Sequence, residues 1–173
     1  MNLGRLVAGA CAALGMSVAA AMAAPQTADY STGPFNTVDY DGASDAQIGL
    51  TIVKNGVTAT GTPNLVALEG NGLGAGGDIA TFGGEFLEFA FDAPASAVSY
   101  LIWSAQSIGV TPMGQRAVEA FDANGLSLGA IIQEGVGSYD LTALFMGAII
   151  SKFRLTSEAM AGFTLRSVTW EAA

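Results

Sequence analysis

From Phe35 onward the apolar runs of this chain are short, and each is closed by glycine, proline or an Asn-Gly pair. Such punctuation leaves little room for long amphipathic helices and favours strands joined by tight turns. The segment Glu85–Asp92 alternates cleanly: Leu87, Phe89 and Phe91 share one face, and Phe86, Glu88 and Ala90 share the other. That period of two is the mark of a strand with one buried face.

Turn chemistry fixes how several runs connect. Asn55-Gly56 separates Gln47–Lys54 from Val57–Gly61, and Asn124-Gly125 separates Gln115–Asp122 from Leu126–Glu134. Asn-Gly is the strongest short-range hairpin signal, because both turn residues accept positive φ. Asn64–Glu69 reads as a further short strand, and Pro94 as the end of the strand that begins at Glu85. Ala97–Ser104 is almost wholly apolar, so the expectation is a strand covered on both faces, with Trp103 buried. The glycine-rich stretch Glu69–Gly84 reads as a mobile loop with a short strand at Asp78–Phe82. Asp140–Ala148 fits one or two helical turns capped by Asp140. Ile149–Ser157 and Phe163–Glu171 complete the series. In the last run the apolar phase slips between Leu165 and Val168, which calls for a β-bulge near Arg166-Ser167.

Without β-α-β alternation a parallel sheet is not expected. The fold class expected is all-β, a two-sheet antiparallel sandwich of jelly-roll type with about eight to ten strands.

The first 23 residues read as a signal peptide. Arg5 supplies the basic end, Leu6–Ala21 the uncharged apolar stretch, and Ala21-Met22-Ala23 the small-x-small site, with cleavage expected after Ala23. A retained membrane anchor would need about 20 strongly apolar residues, more than this Ala-rich stretch offers. Lipidation at Cys11 is not expected, because Ala8-Gly9-Ala10 lacks a bulky aliphatic residue and the apolar run continues to Ala21. The domain reading is therefore a signal peptide over 1–23, a flexible lead-in over 24–34 and one β domain over 35–173. The expected location is secreted or periplasmic, with no membrane association after cleavage.

The residue types that are missing restrict the chemistry. The chain has no histidine, and its one cysteine, Cys11, lies in the signal. A Ser-His-Asp triad, a Cys-His pair and a His/Cys zinc site are thus excluded. The formal net charge is −9, and removing Arg5 makes it more negative still. That disfavours nucleic acid and anionic membranes as partners.

Several motifs look familiar. The stretch Glu85–Asp92 followed by Pro94 and Val98-Ser99-Tyr100, the hairpin Phe121–Gly125 with Leu128-Gly129, and the closing Leu165–Trp170 resemble exported bacterial β-sandwich proteins of the PEP-CTERM-associated type. The resemblance covers about residues 69–171. It implies a non-catalytic jelly-roll domain akin in shape to carbohydrate-binding modules. The sequence ends at Ala173 without that family's C-terminal sorting segment, so sorting and anchoring of that kind are not expected. Arg166 stands where the family often has Asp.

The sequence offers three candidate sites. Asp39, Asp41 and Asp45 surround Gly42, and calcium takes several such oxygens; the competing reading is a solvated turn. Tyr40 and Tyr139 are the candidate aromatic surface for a sugar ring, against the competing reading that aromatics in a domain this size are core. Glu69–Asp78 is a second, glycine-rich loop to weigh for cations, and it lacks the Lys-Ser/Thr of a phosphate loop. Glu85 and Glu88 cannot serve as a paired acid and base, since positions three apart on a strand face opposite sides. The functional expectation is a secreted, non-catalytic domain that binds a surface glycan or a partner protein. The alternatives are a self-assembling structural protein and a carboxylate-based glycan-active enzyme.

Overall fold

A computed structural model describes residues 23–33, 39–41, 46–68, 70–76, 81–107, 112–158 and 161–173. The segment expected to be a signal peptide lies outside the described residues up to Met22. Among the described residues the protein is nearly all β, with antiparallel pairing throughout and one short helix. The strands are β1 (Gln26–Asp29), β2 (Asp39–Asp41), β3 (Ala46–Lys54), β4 (Val57–Leu68), β5 (Gly72–Ala75), β6 (Thr81–Phe82), β7 (Phe86–Ser107), β8 (Arg116–Phe121), β9 (Ser127–Gln133), β10 (Gly137–Asp140), β11 (Ile150–Ser157) and β12 (Ala161–Ala172). Helix α1 (Leu141–Leu144) follows β10, and the Asp140 carboxylate accepts the Ala143 N–H at 2.9 Å as its N-cap.

The long strand β7 organises the molecule. Phe86–Phe91 lies between β4 and β11, whereas the part from Ala95 to Ser107 runs along β12, with β10 on its other side at Ser99–Ile102. The change of partners falls at Asp92–Pro94. There the register with β11 jumps from Lys152↔Ala90 to Ile150↔Ala95. Proline has no N–H to give a ladder, so it sits where the pairing changes. Pro94 was expected to end a strand; instead the chain carries it within one. The strands β4, β5, β12 and β7 pair in a closed circuit.

The core is built on these strands. Phe89 stacks on Phe153 with ring centroids 4.9 Å apart, and Phe153 stacks on Tyr100 at 5.7 Å. Phe91 joins Phe153 at 6.1 Å and Trp170 at 5.3 Å. Each such pair adds about 0.5–1.5 kcal/mol beyond area burial. This ladder connects the first half of β7 to its second half, through β11.

Both Asn-Gly hairpins form as the sequence indicates, and so does the bulge. Leu165 pairs with Ile102 and Ser167 with Leu101, leaving Arg166 as the extra residue. Two further expectations, both about flexible segments, fail. The lead-in is not wholly a flexible segment: β1 pairs with β12, and Ala28 and Tyr30 are fully buried. Nor is the glycine-rich stretch simply a loop. Its Gly72–Ala75 is a strand with all four residues buried between β4 and β12. The Gly72 backbone has φ +123°, and a Cβ there would lie 2.2 Å from the Leu165 carbonyl oxygen. Close approach of two backbones, not mobility, explains this glycine.

Candidate functional site

The second half of β7 has two unlike faces. Val98, Tyr100 and Ile102 point inward and are at most 3% exposed, while Trp103 on the opposite face is 49% exposed. Ala97, Ser99 and Leu101 share that outward face and are half-buried. The expectation that Trp103 is buried is therefore wrong. Its apolar outward neighbours hid the alternation in the sequence.

The bulge on β12 supplies a partner. An extra residue in one strand of an antiparallel pair re-aims a side chain. The Arg166 guanidinium carbon lies 4.2 Å from the centre of the Trp103 ring. The backbone is fixed by Tyr30, whose N–H donates to the Arg166 carbonyl at 2.8 Å. The result is an exposed indole with a cation stacked on it. Farther along the same outward face lie Ser99 and its cross-strand partner Thr169, whose hydroxyl is 2.9 Å from that of Thr27. Ser99, Thr169, Asp140 and Glu171 contribute to a shallow concavity of about 200 Å³. Trp103 lies four positions beyond Ser99 on the strand, about 13 Å away.

Tyr139 is placed differently from a free platform. It lies directly opposite Tyr100 on the β10–β7 ladder and stacks on it at 5.3 Å. The Arg116 guanidinium carbon lies 4.5 Å from its ring centre, and its hydroxyl donates to the Glu134 carbonyl at 2.6 Å. The ring is half-buried and engaged within the fold.

Arg116 is fully buried. Its Nη1 donates to the carbonyls of Gly114 at 2.8 Å and Gly135 at 3.1 Å. Its Nε and Nη2 have no hydrogen-bond partner. The cation is compensated instead by the faces of Tyr139, Tyr100 and Phe163. The neighbouring Tyr100 hydroxyl donates to the Gln133 side-chain oxygen, and burial pushes its pKa up to about 12. This phenol stays neutral at physiological pH and is unsuited to proton transfer.

Glu88, Glu119 and Asp122 are held by structural partners. Glu88 accepts from Arg154 at 2.8 and 3.1 Å and pairs with Lys152 at 3.3 Å. Glu119 accepts the Ser127 hydroxyl at 2.7 Å. Asp122 accepts the N–H groups of Asn124 and Leu126, closing the second Asn-Gly turn. Asp39, Tyr40 and Asp41 form β2, which pairs with Ala46–Ile48; Asp45 lies outside the described residues. No group of three metal-ligating side chains converges among the described residues.

No family model matches this chain, and no curated protein matches it by sequence.

Proposed function

We propose that this protein is an exported, non-catalytic domain of sandwich type that binds an extracellular glycan on the outer face of β7 and β12. The observation that carries the reading is Trp103, half-exposed on a sheet face with the Arg166 guanidinium 4.2 Å from its ring centre. With the guanidinium over one ring face, the indole surface that stays exposed provides an apolar contact for the C–H face of a sugar, and Arg166 provides donors for its oxygens. The hydroxyls of Ser99, Thr169 and Thr27 extend that face with further donors and acceptors. The sandwich assignment draws on β7, whose two halves serve different sets of strands. Export draws on the signal-like residues 1–23 and on the resemblance to exported bacterial sandwich proteins. The non-catalytic reading draws on Glu88, Glu119 and Asp122, each of which is occupied by hydrogen bonds or ion pairs.

A glycan array probed with the purified protein, with and without calcium, tests the proposal. Binding to a defined set of glycans is expected. Absence of binding in both conditions eliminates the glycan reading, and binding only with calcium returns attention to Asp39, Asp41 and Asp45.

A further inference from the structure

Strands β10, β7, β12 and β1 lie side by side, and residues directly opposite each other in a sheet share a face. Their registers set two ranks across the outward face that carries Trp103. One rank is Ser138, Leu101, Ser167 and Asp29; the next is Asp140, Ser99, Thr169 and Thr27. Beyond the second rank, Ala97 stands opposite Glu171. Ser138, Asp140 and Thr27 are exposed, and the other residues of the ranks are half-buried. Five of the eight residues in the two ranks carry a hydroxyl, with at least one on each of the four strands.

This face has two unlike ends. At one, Trp103 offers a ring and Arg166 offers donors. At the other, Asp140 and Glu171 border the concavity beside Ser99 and Thr169 and supply carboxylate acceptors. Trp103 lies four positions from Ser99 and six from Ala97, which is about 13–20 Å along the strand. A single sugar ring is too small to touch both ends.

We infer that the concavity at Ser99, Thr169 and Glu171 is a second subsite, so that the ligand is a neutral, extended glycan chain lying along β7 and β12 and not a single terminal sugar. The inference rests on the glycan reading above and adds length, direction and charge to it. An equatorially linked chain, such as a β-1,4-linked one, stays extended over the distance between the two ends, whereas a coiled chain leaves the sheet between them. The hydroxyls of Ser138 and Ser167 lie along the way. Charge separates neutral from acidic chains. The far end presents Asp140 and Glu171, which accept from sugar hydroxyls but repel uronate or sulfate groups. At the near end, Arg166 adjoins Ser167, the partner of Asp29, so a carboxylate already stands near that cation.

Calorimetric titration tests this with β-1,4-linked glucose oligomers of two to six units, their N-acetylglucosamine counterparts and β-1,4-linked mannuronate oligomers of the same lengths. The wild type is expected to bind at least one neutral series, with affinity rising about tenfold or more from the two-unit to the longer oligomers and then levelling, as one hydrogen bond to a carboxylate is worth about that much. Glu171→Gln and Ser99→Ala are expected to weaken the six-unit oligomer more than the two-unit one, whereas Trp103→Ala weakens both. The mannuronate series is expected to bind more weakly than the neutral one and to gain from Glu171→Gln. Should Ser99→Ala fail to give a native circular-dichroism spectrum, Glu171→Gln is judged alone by the same criterion. Affinity independent of length, equal losses at both lengths in the distal variants, mannuronate binding as tight as neutral binding, or no binding of either neutral series overturns the inference. A short or branched array ligand whose binding is lost in Trp103→Ala would leave the glycan reading standing while this inference falls.

Discussion

The Trp170 indole nitrogen donates to the Asn55 carbonyl oxygen at 3.0 Å. The contact ties the last strand, β12, to the turn between β3 and β4, across 115 positions of sequence. The turn is shaped for it. Asn55 and Gly56 both have positive φ, and a Cβ on Gly56 would lie 2.6 Å from Trp170 Cζ2. Trp170 itself is 2% exposed.

Trp170→Phe keeps an aromatic ring but removes the donor, leaving the Asn55 carbonyl without this partner. A loss of about 1–3 kcal/mol is expected in urea unfolding. Trp170→Ala also empties the site and is expected to cost about 3–5 kcal/mol. A Phe variant as stable as the wild type would show that the bond contributes nothing.

Arg116 is the second test. Its burial costs several kcal/mol in desolvation, and two of its nitrogens recover nothing by hydrogen bonding. Against that stand two carbonyl bonds, worth about 1.5–3 kcal/mol each for a charged donor, and contacts to three aromatic rings. These nearly cancel. Arg116→Met, which fills the same space, is expected to change stability by less than about 1.5 kcal/mol. Arg116→Ala leaves a cavity among Tyr100, Tyr139 and Phe163, with an expected loss of about 3–5 kcal/mol. Equal losses for Met and Ala would mean that the charge itself holds the cluster together.

Acid should weaken the fold through two carboxylates. The Ser31 hydroxyl, donating at 2.7 Å, is the main reason that the Asp29 pKa lies below its ordinary 3.8. The Leu126 N–H does the same for Asp122. Each group is charged more readily in the folded state than in the unfolded chain. Their contribution is therefore fully present above the unfolded value and is lost as pH falls through the depressed folded values. The thermal midpoint attributable to them should be flat from pH 7 to 5 and should fall below about pH 4. The double variant Asp29→Asn/Asp122→Asn should show a shallower acid decline; an equally steep one would assign the effect to other groups.

The glycine-rich stretch makes a sharper contrast. Gly72 and Gly70 both have positive φ, but a Cβ meets the Leu165 carbonyl at 2.2 Å in the first case and open space in the second. Gly70→Ala is expected to cost about 1–2 kcal/mol from backbone strain alone. Gly72→Ala should cost clearly more, since β5 must move off β12. Similar values for the two variants would argue that β5 is loosely held.

What the sequence revealed depended on whether a local rule dominated. Asn55-Gly56, Asn124-Gly125 and the Asp140 cap are local chemistry and form where they are written. The bulge at Arg166 was visible because burial on one face forces a phase, and a slip in the phase needs an extra residue. The strand Gly72–Ala75 was not visible, because small residues chosen for close backbone approach look like loop composition. The sequence predicts two strands where β7 runs on as one, because Pro94 ordinarily ends a strand; here the change of partners between β4 and β12 accommodates it. The candidate site suffered most. Trp103 looked buried because Leu101 and Ala97 beside it on the outward face are also apolar. The phase slip marks Arg166 as a bulge, but only the β7–β12 register brings it to Trp103.

The central claim is that Trp103 anchors a glycan. Calorimetric titration of the strongest array ligand into the wild type and Trp103→Ala tests it most directly. Truncating a central aromatic anchor typically removes about 2 kcal/mol or more, so affinity should fall about 30-fold or further while thermal unfolding stays near the wild type. Unchanged affinity in a folded Trp103→Ala protein would contradict the claim.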